Sequence, residues 1–426
     1  MSTPKTSSNR YKAVGLPLDK AIDYNATGPI EPTGEWPPRA IRGRMRRLAW
    51  FCDLFQGDFS QLHNYIAYDN QTGTDVNRFT VQSNIFRLVA TTFADILMMS
   101  PPEYENPRLG VNIMDSLYQI LTHQYVYGAA VVLVGEDPLN PLEVLEPSLW
   151  VPTDEGWWYL DPIANEEGDY FSVNITQYSE FTGQITNQAY NFHGFTNGHS
   201  GTIGDPVGEP SVTRLEQDPL RVIKRKPLQF GGAWGTSVIE DLVSPVAQIN
   251  RRYTDIDIFL NSQTRPTIIT RTADPDRTQI PQDGTVDPES PVPAAEALDP
   301  LDAAWKVGNV YEQWAVPDRV QSYETVTWDG RVDEALMFIE HLQNVIEAHA
   351  AIPGLFSGLT EGGVASGVAL NRLLLRLYAA SLHMQTSTEV AVNELLQLVN
   401  VPELDWPNAL VAMNQVTETP EEGIIE

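Results

Sequence analysis

Residues 332–370 read VDEALMFIEHLQNVIEAHAAIPGLFSGLTEGGVASGVAL, and three kinds of chain succeed one another in them. From Val332 the apolar residues Ala335, Leu336, Ile339, Leu342, Val345 and Ile346 return at spacings of three and four, which marks one face of a helix. Pro353 closes this rod after about 19 residues, roughly 28 Å of helix. Ile352 to Gly367 then holds five glycines in sixteen residues, with Glu361 its only charge. Backbone so rich in glycine has wide freedom, at an entropic cost whenever it is ordered. From Val368 a long, strongly apolar helix is expected to run to Val399.

A matching rod lies upstream. Val246, Ile249, Tyr253, Ile256 and Leu260 repeat at helical spacing, and the helix is expected to stop before Pro266. Ser244-Pro245 offers an N-cap followed by proline at the first helical position, with a separate helical turn from Val238 to Leu242 ahead of it. Between the rods, Thr267-Ile-Ile-Thr270 is strand-like and Tyr311 to Trp328 reads as strand. Residues 273–300 carry six prolines and seven acidic residues against one arginine, and read as loop or short helix. Two equal rods around a small mixed insert predict an antiparallel pair presenting a compact tip. The expected packing positions are Ile249, Ile256 and Leu260 on one rod and Ile339, Leu342 and Ile346 on the other.

Further out, residues 1–39 lack periodicity and read as an extended N-terminal arm. Arg39 to Phe55, Asn84 to Met99 and Asn112 to Tyr125 have helical spacing; Pro101-Pro102 stops the second and Gly128 the third. Ala129 to Val134 is a continuous apolar run that suits a buried strand. Phe171–Tyr178 and Gln184–Phe192 alternate on either side of Thr182-Gly183, a hairpin signal, and Gly194 to Pro210 reads as a surface loop. Arg39, Arg42, Arg44, Arg46 and Arg47 cluster beside Trp36, Trp50 and Phe51. They suit a surface helix paired with carboxylates of another copy, or an arm docking on an acidic neighbour or nucleic acid.

The whole chain has 426 residues, room for two or three domains, and a formal charge of −29. Residues 1–50 hold nine Lys and Arg against four Asp and Glu, so the remaining 376 residues carry −34. That balance argues against a protein that grips nucleic acid by neutralising phosphates. The lone Cys52 excludes an intramolecular disulfide framework and any multi-cysteine metal site. The apolar runs are too short to span a bilayer, and the N-terminus has no signal-peptide core, so a soluble protein of a reducing cytoplasm is expected.

Catalytic signatures are missing. No lysine comes after the glycines of 352–367, as a phosphate-cradling loop requires, and there is no G-x-S-x-G elbow. His341 and His349, with Glu340 and Glu347 near them, are eight apart on one helix, a poor spacing for shared metal ligation. Asp255 and Asp257 point to different helical faces. No catalytic, cofactor-binding or metal residue is assigned. The chain reads as a non-enzyme without cofactors.

In order, the pieces resemble the portal proteins of tailed double-stranded DNA bacteriophages, of the long-tailed type. Four segments carry the resemblance: Tyr127-Gly-Ala-Ala-Val-Val-Leu-Val followed by Leu142-Glu-Val-Leu-Glu-Pro; Gly235 to Asn250; Arg265-Pro-Thr-Ile-Ile-Thr; and Ile352-Pro-Gly-Leu-Phe followed by Ser366-Gly-Val-Ala-Leu. The resemblance implies an α+β subunit with a wing over residues 40–235 and stem helices over 236–263 and 329–351. It implies a clip over 264–328, a tunnel loop over 352–367, and a long helix leading to a reduced helical crown and acidic tail over 368–426. It implies a homo-oligomeric ring of about twelve copies at one capsid vertex of the virion, made in the host cytoplasm. The ring would be a conduit for DNA packaging and ejection, contacting the major capsid protein, the terminase motor and the head–tail adaptor, with no membrane partner. Double-stranded DNA would be touched transiently and without sequence specificity, at Ser357, Gly358, Leu359, Thr360, Glu361, Gly362 and Gly363. Another capsid or connector protein, or an intracellular enzyme with a dispersed site, are the competing readings.

Overall fold

The computed structural model describes residues 22–59, 62, 83–164, 170–193, 201–215, 217–225, 234–263, 267–272, 320–326, 332–356 and 367–407. The chain is α+β, with antiparallel sheets throughout the described residues. It divides into two compact units, one with the described residues up to Gln248 and from His341, the other with those from Ile249 to Glu340.

In the first unit, helix α1 spans Arg42–Gln56 and ends at Gly57, whose φ of 97° lets its N–H reach back to Asp53 and Leu54. Helix α2, Ile85–Leu97, starts where the Asn84 side chain accepts the Arg87 N–H. It buries Ile85, Phe86, Val89, Ala90, Phe93, Ala94 and Leu97, the stripe that the periodicity predicts. Helix α3, Pro107–Tyr127, begins five residues before the expected start at Asn112. The local signal for the earlier start is Asn106-Pro107: the asparagine accepts the Arg108 N–H at 3.1 Å and proline takes the first helical position.

Gly128 turns α3 into β2 (Ala129–Asp137), the centre of a three-stranded sheet ordered β3 (Asn140–Leu145), β2, β9 (Leu220–Lys224). Ala129 to Val132 are completely buried, as a continuous apolar strand requires. The second sheet has six strands in the order β1 (Gly34–Trp36), β8 (Gly201–Arg214), β7 (Gln184–His193), β6 (Tyr170–Ser179), β5 (Gly156–Ala164), β4 (Trp150–Thr153). Trp36, Ile41, Met45, Val151, Trp158, Leu160, Val173, Ile175, Tyr190, Phe192 and Ile203 form its core.

Three sequence expectations are corrected in this unit. The stretch Gly194–Pro210 is not all surface loop, because β8 occupies it from Gly201. Beyond Ile203, where β1 ends, β8 lies on the edge of the sheet, so Pro206 and Pro210 need not donate outward. Register shifts against β7 absorb the extra residues around Gly208. The N-terminal stretch from Ile22, expected as an extended arm, is docked on this sheet instead. Gly28 donates to the Pro152 carbonyl at 2.7 Å, and Trp36 is buried against Trp158 with ring centroids 5.6 Å apart.

For two of the five clustered arginines the surface reading is also corrected, while Arg39 is exposed and Arg46 half-buried. Arg44 and Arg47 are 1% and 3% exposed, so they face inward, not toward another copy or nucleic acid. Arg44 donates to the carbonyls of Tyr24 and Trp150 and lies over the rings of Trp150 and Trp234. Arg47 pairs with Glu240, and Arg42 with Glu35. Planar guanidinium suits such aromatic and carbonyl surroundings, and those partners offset part of the cost of burying the charge.

Helix α4 runs unbroken over Val238–Gln263 with Pro245 inside it, where the sequence suggested a cap and a new start at Ser244. Val238, Ile239, Leu242, Val243, Val246, Ala247 and Ile249 are all buried around the proline. Each fully buried Val, Leu or Ile contributes about 1.5–3 kcal/mol, which outweighs the roughly 3 kcal/mol that an internal proline costs. In the second unit, β10 (Thr267–Thr272) pairs antiparallel with β11 (Val320–Val326), Ile268 opposite Thr325. The Arg252 guanidinium lies over the Phe338 ring, carried by helix α5 (Val332–Ala350), at 5.4 Å. The Pro-rich insert 273–300 lies outside the described residues. Helix α6 covers Gly367–Leu398.

Candidate functional site

The first unit builds a junction at the end of α3. Ser237 Oγ donates to the Val126 carbonyl at 2.6 Å, Trp234 Nε1 to the Tyr127 carbonyl at 2.9 Å, and the Arg225 N–H to the Gly128 carbonyl at 2.9 Å. Two of the segments that carry the resemblance, around Tyr127 and around Gly235, therefore meet. Gly128 has a φ of 84°, and a Cβ there would sit 2.4 Å from the Gly235 carbonyl oxygen. Arg225 also stacks over the Tyr125 ring at 5.0 Å and donates to the Thr236 carbonyl.

From this junction the Tyr125 hydroxyl donates to the carbonyl of Ala350, the last residue of α5, at 3.3 Å. Past Ala350 the chain makes a tight bracket. Ala351 and Gly354 have φ of 60° and 72°, Ile352 is buried, and its N–H donates to the Glu347 carbonyl at 3.2 Å. The Glu347 carboxylate accepts the N–H of Gly354 at 3.1 Å and that of Phe356 at 3.0 Å. In the sequence Glu347 stands out only as a neighbour of two histidines. No local signal distinguishes a helical glutamate that reaches forward seven and nine residues.

On the far side of the Gly-rich segment, α6 is tied to the same junction. Gln124 of α3 donates to Thr388 Oγ1 at 3.1 Å, and both residues are fully buried. Arg221 of β9 pairs with Glu394 at 2.6 Å, an exposed pair of small energetic weight. The chain then folds back along α6: Asn393 both accepts from and donates to the Leu404 backbone, and Gln385 donates to the carbonyls of Trp406 and Pro407.

Of the expected packing positions, Ile249, Ile339, Leu342 and Ile346 are buried within the single chain, Ile256 is half-buried, and Leu260 is exposed. The seven expected DNA-facing residues, Ser357 to Gly363, lie outside the described residues. His341 and His349 are exposed. Among the described residues no three His, Cys, Asp or Glu side chains gather as a metal site, and no helix is long and apolar enough to cross a membrane.

One cluster does bring cysteine, histidine and glutamate together. Cys52 is hydrogen-bonded to Tyr127, which also bonds Glu146, and His123 stacks edge-on against Tyr127 at 5.2 Å. Burial, with the Glu146 charge adding to it, pushes the Cys52 thiol up to about 11. Burial likewise holds His123 below its ordinary value. A nucleophilic cysteine needs the opposite, a lowered thiol beside a protonatable base. Here both shifts run the other way.

No family model matches the chain, and no curated protein matches it. Among solved structures it is similar to a chain of the virion of the native gene transfer agent (GTA) particle, 14% identical over 93% of both chains, with a TM-score of 0.44. It is similar to a chain from the neck of the native GTA particle computed with C12 symmetry, 13% identical over 78% of this chain and 82% of that one, TM-score 0.39. A chain from the neck of the empty GTA particle computed with C6 symmetry is 12% identical over 93% of both, TM-score 0.43.

Proposed function

We propose that this chain is a phage-type portal subunit, about twelve copies of which form a ring at one capsid vertex through which DNA enters and leaves. The observation that carries the reading is the order of elements from residue 238 onward. A 26-residue helix leads to a β-pair, a 19-residue helix, the bracket at Ile352–Phe356, and a 32-residue helix. That is the succession of stem, clip, stem, tunnel loop and long helix that the sequence resemblance implies. The head–tail adaptor and the terminase motor dock on the clip, and the major capsid protein surrounds the wing.

The charge suits a conduit. Each Lys or Arg contact with a phosphate releases counterions and holds DNA, so a channel that must let DNA slide carries few of them. Residues 352–367 have no Lys or Arg. Shortening Gly358–Gly363 is therefore expected to leave rings intact while particles package less DNA or leak it. Glu361→Lys should make DNA passage steeper in its salt dependence. Normal packaging and retention by the shortened variant in well-formed particles removes the tunnel-loop role.

Ring formation has a test of its own. Leu336, Met337 and Phe338 on α5 are 47%, 69% and 38% exposed in the single chain. Burying one such side chain against a neighbouring copy contributes about 1.5–3 kcal/mol. Leu336→Glu and Met337→Glu are expected to leave a folded monomer with wild-type circular dichroism and no rings by light scattering and negative-stain imaging. Wild-type rings with an axial hole from both variants refute this contact. Wild-type protein that never forms rings overturns the portal reading.

A further inference from the structure

We propose that Glu347 is a positioning residue: its carboxylate, holding the backbone N–H groups of Gly354 and Phe356, sets the direction in which the chain leaves the 332–350 helix. This rests on the portal reading, in which the segment so aimed is the one that meets DNA. Both carboxylate oxygens are engaged, Oε2 with Gly354 at 3.1 Å and Oε1 with Phe356 at 3.0 Å. The backbone carbonyl of the same residue accepts from Ile352 at 3.2 Å, so residue 347 grips the succeeding turn twice.

The turn it grips is demanding. Ala351 lies at a φ of 60°, a left-handed conformation that brings the Cβ of an alanine too close to its own backbone. Such a residue persists when its surroundings over-determine it. Here the Tyr125 hydroxyl on Ala350 and the burial of Ile352 fix the start of the turn. The two bonds from Glu347 fix its end. Hydrogen bonds from backbone N–H groups to a carboxylate are roughly twice as strong as neutral ones. The two bonds reach no other element, so they aim the turn more than they stabilise the unit.

Hydrogen exchange on the full-length protein tests this, with Glu347→Ala and Glu347→Gln beside the wild type. In Glu347→Ala the Gly354 and Phe356 amides are expected to exchange about tenfold to a hundredfold faster. Glu347→Gln keeps one carbonyl acceptor and falls between. The Ile352 amide, bonded to a backbone oxygen, stays as in the wild type, and both variants melt with the wild type and form rings. In assembled particles Glu347→Ala retains less DNA and Glu347→Gln recovers part of the loss. Unchanged exchange at both amides overturns the bracket. Faster exchange with full DNA retention, while the Gly358–Gly363 deletion loses DNA, overturns the positioning role alone. Full retention in both kinds of particle overturns the tunnel-loop reading beneath it.

Discussion

Arg44→Ala is expected to cost the first unit about 3–5 kcal/mol, enough to leave little folded protein in many preparations. The guanidinium is 1% exposed. It donates to the Tyr24 and Trp150 carbonyls, each at 3.3 Å. Its carbon lies 5.8 Å from the Trp150 ring centre and 5.5 Å from that of Trp234, two rings stacked 5.9 Å apart. Burial lowers its pKa to about 10, with Asp23 and Tyr24 opposing, so the group is charged at neutral pH. Truncation leaves two buried carbonyls without this donor and a cavity beside two indoles. Lysine restores the charge but not the planar shape, so Arg44→Lys should recover less than half of the loss. Urea titration followed by tryptophan fluorescence measures both. A midpoint for Arg44→Ala equal to the wild type sinks the assignment.

Gly128→Ala should cost about 3 kcal/mol or more, because strain and collision act together. A φ of 84° is unfavourable for alanine. The added Cβ would also lie 2.4 Å from the Gly235 oxygen and 2.7 Å from the Ser237 nitrogen. Both obstacles are backbone, pinned by the Trp234 and Ser237 hydrogen bonds to the end of α3, so neither can swing aside. Gly208→Ala is the matched control: its φ is 77°, yet nothing lies within 4 Å of the added carbon. It should cost only about 1 kcal/mol. Equal losses at the two positions, read from thermal melts, would mean that the collision at Gly128 relaxes freely.

Elements whose signals are local were legible. The α2 stripe, the β6–β7 hairpin around Gly183, the buried β2 and the stop at Gly128 all arise from neighbours a few residues apart. The start of α3 has a local signal too, in Asn106-Pro107, ahead of the apolar periodicity that begins near Asn112. β8 was not legible, since its glycines and prolines describe a loop until an edge position and a β7 partner are supplied. Nor was the continuity of α4, where Pro245 suggests a boundary that buried contacts override.

Legible in the sequence were the mixture of helical and strand segments, the succession of helix, insert, helix, Gly-rich segment and long helix, and the lack of basic residues in 352–367. These depend on periodicity, punctuation and composition, which act over one or two turns of chain. What the arginines of α1 and Glu347 do is set by the folded chain. Arg44 meets Trp150 across 106 positions and Arg47 meets Glu240 across 193. A charged side chain on a helix looks solvated from its own neighbours. Its burial depends on which distant carbonyl, carboxylate or ring folding brings alongside, because a buried charge persists only where partners replace the water it loses.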